Sequence, residues 1–432
     1  MTSFPPNVAI GQDVENTSFR GGQMRLLKTL DLSPEQESQI RALVDAYREN
    51  NRGDRGARQK LISDVDMLLT PEQRLQMRRN QEDPRPTRSE PSHPFAHATA
   101  TAEAQERYEL AAHYSQEQEG LSLLILHQGR IVFEEYDSSA EEAYVLASGT
   151  KSFWGVLAAA AVADGLLDWE ERVAETLTEW RDDPLKSRIT VRQVLNFTDG
   201  LDPADQDLDG PTLKNKYQYA VDLQAVAEPG TTFCYGPSHL YVFGELMRRK
   251  LAADPLEYLE QRVFAPIDLR VSDWRRDGAG NPLMPAGASL TAREWAKFGE
   301  LVRQGGSWQG RTVIASDALQ SCFVGSAVNP AYGLTFWLNV AVPEGTFSTE
   351  VTEGEGRNPW RRGGSSGSIY LGAPEDLVMA AGAGKQRLYI MPSLELVVVR
   401  QGNRASKFRE EGTKFRDDEF LALLLKGEPL TG

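Results

Sequence analysis

Residues 146–163 read LASGTKSFWGVLAAAAVA. From Phe153 onward the run is almost unbroken apolar sequence, which predicts a helix buried in a domain interior. Ser148 falls where that helix should begin, and a serine there is expected as an N-cap, its hydroxyl accepting from free backbone N–H groups. Lys151 is the oddity, because the first turn of a helix carries partial positive charge and disfavours a cation. Ser148 and Lys151 form S-x-x-K, the only such pair in the chain. A spacing of three puts both side chains on one helical face, with the amine in reach of the hydroxyl. A serine hydroxyl is a weak nucleophile until a neighbouring base takes its proton. Burial and the positive end of a helix both disfavour a charged amine, so what is unfavourable for the helix suits a lysine base. Ser148 is therefore the candidate nucleophile and Lys151 its base.

Outward from this stretch, LSLLILHQGRIVFEEY (121–136) places two β-rich runs around a short turn and predicts a hairpin. Near the other end, LYI and LELVVVR flank the turn MPS at 391–393, and DDEFLALLLKG (417–427) predicts a closing helix. Helical segments and a mixed region lie between. Strands at both ends with helices between them predict an α+β fold: an antiparallel sheet shared by the two termini, flanked by helices, plus a helical domain.

Residues 1–80 predict an α-helical N-terminal extension, 81–98 (QEDPRPTRSEPSHPFAHA) a Pro-rich linker, and 99–432 the main domain. The extension nearly repeats a phrase, LSPEQ at 32–36 and LTPEQ at 69–73. Each puts Ser33 or Thr70 at an N-cap, proline at the first helical position and glutamine three residues after the cap, the pattern of a capping box. Apolar residues then recur at helical spacing, at Ile40, Leu43, Val44 and Tyr47 and at Leu61, Ile62, Val65 and Leu68. This stretch, about 30–80, resembles the Spy-type periplasmic chaperones with paired Leu-Thr-x-x-Gln motifs. That resemblance implies export with a leader removed. The opening MTSFPPNVAI itself has no signal-peptide pattern, which leaves the cytoplasm as the other expectation.

The formal charge is −15, and residues 1–92 hold 14 basic and 14 acidic side chains, so the main domain carries the whole excess. An acidic body argues against nucleic acid and anionic membrane surfaces as partners. No apolar run approaches the roughly 20 residues of a membrane span. Cys234 and Cys322 match no metal spacing, and the five histidines form no zinc pattern, so no metal or cofactor is expected. GGSSG at 363–367 fits a nucleophile-elbow pattern around Ser365, but no helix is predicted after it, and it reads as a glycine loop near the cleft. Trp154, Trp337 and Trp360 are candidates for an apolar acyl pocket or for core packing.

LASGTKSFWGVLAAAAVADGLLDWEERVAETL, ITVRQVLNFTDGLDP, EPGTTFCYGPSHLYVFGELM, GASLTAREWAKFGELVRQGGSWQG, YGLTFWLN and GAGKQRLYIMPSLELVVVRQGN occur in that order. Over residues 105–427 they resemble the serine β-lactamase and penicillin-binding superfamily, most nearly its class C and esterase-like branches. The resemblance implies a sheet flanked by helices, a helical domain, and a site in the cleft between them. It makes Ser148 the acylated nucleophile, Lys151 its partner and Tyr235, in Tyr235-Gly236-Pro237, a proton relay. Pro237 stands where the family often has Asn or Ser, a role left to Ser238 or His239. The family's third motif, Lys-Thr-Gly or His-Thr-Gly, aligns with Gly382-Ala383-Gly384, and the N–H groups of Ser148 and Lys385 would form the oxyanion hole. Lys385 itself should point to the opposite side by strand alternation. Gly382, Ala383, Gly384, Trp337 and His239 are the candidate substrate contacts.

Without a cation or hydroxyl in the third motif, the resemblance implies a small-molecule ester or amide as substrate, with β-lactamase or peptidase activity weak or absent. The GxGxQ phrase also resembles the branch of aminohexanoate-oligomer amidases. A non-catalytic binding or sensor protein that kept this fold is the alternative.

Overall fold

The computed structural model describes residues 95–342, 368–403 and 414–430, together with 32–50, 60, 64–65, 67–70 and 73 nearer the N-terminus. The chain divides into two compact units, residues 1–94 and 95–432. Trp360 and the GGSSG motif with Ser365 lie outside the described residues.

In the smaller unit, helix α1 runs Pro34–Asn50. Ahead of it, Gln36 N donates to Ser33 Oγ at 3.2 Å and Ser33 N donates to Gln36 Oε1 at 3.0 Å, both halves of a capping box. Thr70 and Gln73 repeat this at 3.2 and 2.8 Å. The two glutamines then clasp one another: Gln36 Nε2 donates to Gln73 Oε1 at 2.8 Å, and Gln73 Nε2 donates to Gln36 Oε1 at 3.1 Å. The two copies of the phrase are thus tied to one another, and each closes its own capping pattern.

The larger unit begins at Phe95, whose ring packs edge-on against Trp308 at 5.9 Å. His97 forms a parallel bridge with Ile131. Residues 95–98, expected as the end of the linker, are therefore part of this unit, because Phe95 buries its ring there.

Among the described residues six strands form its main sheet: β1 (Gly120–His127), β2 (Arg130–Tyr136), β3 (Trp337–Leu338), β4 (Val378–Gly382), β5 (Gln386–Met391) and β6 (Leu396–Gly402). Their order is β2-β1-β6-β5-β4-β3, and every neighbouring pair is antiparallel. Strands from the two ends of the domain meet at the centre, with Leu124 opposite Val399. The β1–β2 turn has positive φ at Gln128 (53°) and Gly129 (68°), the conformation that matches the twist of a two-residue hairpin. β6 is buried along its whole length, which is why LVVVRQG reads as a run rather than an alternation.

Helix α2 (Ala102–Glu117) and the closing helix, Asp417–Lys426, lie together on one face of the sheet. The helix Ala292–Arg303 covers the other, pressing Gly299 onto Leu388 and Val397. Alternation along β5 sends Leu388 toward that helix and Arg387 and Tyr389 toward the closing one, where Tyr389 stacks on Phe420 at 5.7 Å.

Helix α3 (Ser152–Ala163) has no exposed side until its last turn. Phe153 packs between Phe298 at 4.6 Å and Phe264 at 5.1 Å. Trp154 is buried, its Nε1 donating to Met284 O at 2.6 Å, so it is core rather than pocket wall. Helix α4 (Ser238–Leu251) and several short helical turns between Val173 and Ile267 make up the helical part. No helix of the described residues is long and apolar enough to cross a membrane.

Candidate active site

Ser148 does not cap α3. It sits in a separate 3₁₀ turn, Ala147–Lys151, whose cap position, Leu146, offers no side-chain bond. The turn opens with Ala147 at φ 48°, a left-handed conformation that costs a residue with a Cβ roughly 1–2 kcal/mol. That bend brings Ser148 to the surface: of residues 146–161 it alone is not buried.

Lys151 is only 4% exposed. Its Nζ lies 3.0 Å from Ser148 Oγ and donates to Pro285 O at 3.3 Å, so both polar partners are neutral oxygens. The same amine lies 5.0 Å above the ring of Tyr235. Tyr235 in turn stacks on Trp337 at 5.5 Å and meets the edges of Tyr332 at 5.9 Å and Phe197 at 5.5 Å. Aromatic packing of this kind fixes a ring in place. The fold thus brings Ser148, Lys151 and Tyr235 together from two separate segments. Trp337 is 7% exposed and packs on both Tyr235 and Tyr332, the latter at 4.8 Å, so little of its surface is left for a ligand.

His239 lies elsewhere than expected. It is fully buried, with Nδ1 at 2.8 and 3.0 Å from the two carboxylate oxygens of Asp199. Its ring stacks on Phe197 at 4.6 Å, and among the described residues Nε2 has no hydrogen-bond partner. This His–Asp pair therefore makes no triad with Ser148, and His239 offers nothing to a substrate. Ser238 is likewise buried, its Oγ without a hydrogen-bond partner among the described residues. The reason is local: the chain enters α4 directly after Pro237, and the first turns of α4 are buried on all sides. Neither residue replaces the amide that Pro237 lacks.

The third motif meets the nucleophile turn at its first glycine. A Cβ on Gly382, the last residue of β4, would lie 2.0 Å from Leu146 O and 2.9 Å from Gly149 N. Only a glycine lets the strand end abut the nucleophile turn so closely. Ala383, Gly384 and Lys385 form the turn into β5. The Lys385 side chain lies 3.8 Å from Asp417 Oδ2 and over Phe415 at 5.9 Å. Burial pushes its amine below the ordinary lysine range, with Asp417 opposing the shift. The strand meets the Ser148 turn at Gly382, so the next amide past the contact belongs to Ala383, and Lys385 lies two residues beyond it.

A cavity of about 530 Å³, lined by Thr190, Arg192, Gln193, Asn196, Gly230 and Ser326 among others, includes none of these residues. Among the described residues no cluster of His, Cys, Asp and Glu could hold a metal ion. The residue-by-residue reading missed Ala147, Pro285 and Asp199. Asp199 carried no motif, and the contributions of Ala147 and Pro285 lie in their backbones.

Several solved structures are similar. A Bacillus anthracis protein whose description names a 6-aminohexanoate-dimer hydrolase is 17% identical with a TM-score of 0.55, over 72% of this chain and 82% of that one. A penicillin-binding protein homologue from Caulobacter crescentus is 16% identical, with a TM-score of 0.54 over 71% and 93%. EstCE1, described as a hydrolase with promiscuous acyltransferase activity, is 16% identical, with a TM-score of 0.54 over 75% and 98%. At such identities the likeness shows the fold. No curated protein sequence is significantly similar to the chain. The Beta-lactamase family matches residues 99–419, nearly the whole of the larger unit, and by that match the chain belongs to the β-lactamase family of serine hydrolases.

Proposed function

We propose that this protein hydrolyses carboxylic esters or amides, rather than β-lactams, through an acyl-enzyme on Ser148. The observation that carries the reading is the 3.0 Å contact between a buried lysine amine and the one surface-reaching residue of an otherwise buried segment. Ser148 Oγ attacks the substrate carbonyl carbon, and its proton passes to Lys151 acting as the base. The oxyanion that forms is held by backbone N–H groups, for which we propose those of Ser148 and Ala383. As the tetrahedral intermediate collapses, the proton leaves with the alcohol or amine, relayed through the Tyr235 hydroxyl. Water then attacks the acyl-enzyme by the reverse proton path, releasing the acid and restoring Ser148.

The preference for neutral substrates rests on the third motif. Gly382, Ala383 and Gly384 have no cationic or hydroxyl side chain, and Lys385 is turned toward Asp417. A missing charge-assisted contact to a substrate carboxylate costs on the order of 1.5–3 kcal/mol, a factor of roughly ten to a hundred or more. Labelling with a fluorophosphonate, followed by turnover of p-nitrophenyl butyrate and a chromogenic cephalosporin, tests both parts. Expected are covalent capture at Ser148, none in Ser148→Ala, and higher kcat/KM for the ester. Absence of labelling and turnover would leave a binding protein with this fold; a faster cephalosporin would reverse the substrate assignment.

A further inference from the structure

Arg387 is buried, 5% exposed, on the face of β5 that meets the closing helix. Its Nε and Nη2 donate to Asp417 Oδ1 and Oδ2 at 2.5 and 3.1 Å, a two-pronged pairing that fixes the plane of the guanidinium. The Tyr389 hydroxyl donates to the same carboxylate at 2.7 Å. Burial alone would raise the Asp417 carboxyl, but the charges of Arg387 and Lys385 and the hydrogen bonds of Arg387 and Tyr389 overcome it and hold the group at about 2. The pair is therefore ionised throughout the neutral range.

The remaining arm of the guanidinium reaches the backbone. Nη1 donates to Gln386 O at 3.0 Å and to Gly382 O at 3.2 Å, the two residues that face each other where β4 turns into β5. A buried ion pair is often no better for stability than apolar side chains of similar size, so its position is the informative feature. Gly382 is the residue at which β4 touches the nucleophile turn. A trans peptide sets each C=O antiparallel to the following N–H, and no peptide bond in the described residues is cis. With its carbonyl drawn down to Arg387, the Gly382–Ala383 peptide has to present the Ala383 N–H on the side away from the guanidinium.

We propose that Arg387 is a positioning residue for catalysis, gripping the Gly382 carbonyl so that the Ala383 N–H is aimed at the oxyanion formed on Ser148. The inference rests on the serine-hydrolase reading above. Arg387 touches no substrate; it removes the freedom of one peptide unit to rotate, and a donor held in place before reaction is what stabilises an oxyanion. Asp417 serves by holding the guanidinium.

Arg387→Lys keeps a cation but not the fork, so it can serve the carboxylate or the carbonyls and not both. With p-nitrophenyl butyrate its kcat should fall roughly 10- to 100-fold, part of the 10²–10³ that loss of a whole donor costs, while KM stays within about threefold. Affinity for a boronic acid that adds to Ser148 as a tetrahedral analogue should fall by the same factor as kcat/KM, a correlation that general loosening would not produce. Because a buried charge left unpaired can unfold a protein, Arg387→Met combined with Asp417→Leu removes both charges. It leaves the Tyr389 hydroxyl and the Lys385 amine without Asp417, so Tm should fall by several degrees, and the folded protein should show the same catalytic loss. The inference is overturned if either folded variant keeps kcat within about threefold of wild type, or loses kcat with boronate affinity unchanged. A wild-type protein that neither labels at Ser148 nor turns over ester overturns the hydrolase reading and this inference with it; a labelling wild type with unimpaired variants overturns this inference alone.

Discussion

Gly382→Ala isolates the contact on which the site's construction depends. The substitution adds one methyl group, and the φ of Gly382 is not in the left-handed region, so alanine can adopt the backbone conformation. What it meets is backbone on the other side: Leu146 O at 2.0 Å and Gly149 N at 2.9 Å. Carbon and carbonyl oxygen ordinarily approach to about 3.3 Å, so the strand end and the nucleophile turn must separate by roughly 1 Å. Neither side gives easily. Gly382 is paired with Gln386 and held by Arg387, and on the other side Leu146 N donates to Ala288 O at 3.0 Å. A misplacement of about 1 Å typically costs about 10²-fold in rate, and forcing an extra methyl into a packed site costs about 1–3 kcal/mol. Initial rates on p-nitrophenyl butyrate and thermal melts of the same preparations measure both. We expect kcat/KM down about a hundredfold and Tm lowered by several degrees. A variant with wild-type kcat/KM would refute the reasoning, because it would mean that β4 does not set the geometry around Ser148.

Three further outcomes are expected. Lys151→Arg keeps the charge but cannot shed its proton near neutrality, so acylation in stopped flow should drop by roughly 10²–10⁴; a wild-type acylation rate would remove Lys151 from the role of base. A chain starting at Phe95, the first residue of the larger unit, should keep kcat/KM within a few-fold, and a hundredfold loss in a folded preparation would mean that the preceding residues shape the cleft. The Asp417 carboxyl is held at about 2, below its ordinary 3.8, so its contribution is complete above pH 4 and is lost as pH falls toward 2. The stability gap between wild type and Asp417→Asn should narrow over that window by on the order of 2 kcal/mol, and a gap independent of pH would contradict the pairing with Arg387.

Local pattern carried much of this protein in its amino-acid order. The two hairpins, at 121–136 and around Met391–Ser393, are legible because alternation and turn residues act over a few positions. The closing helix and the burial of α3 follow from apolar spacing for the same reason. Ser148 and Lys151 stand one turn apart, so their meeting needs nothing from the rest of the chain. The segment GAGK was also singled out, but its point of contact with the nucleophile turn was not legible. Which residue of GAGK touches the nucleophile turn depends on where β4 ends against Leu146, and a strand's own pattern does not say what lies beyond its tip. Ala147 gives no sign of its left-handed backbone, because alanine rarely adopts one unless its surroundings impose it. His239 looked available to a substrate by its closeness to Tyr235. Only packing showed it turned inward onto Asp199, 40 residues away. Arg387 and Asp417 read as one charged residue on a strand and another at a helix start. Their pairing arises where the closing helix lies across β5, and side chains from distant segments meet through how elements pack, which no local periodicity encodes.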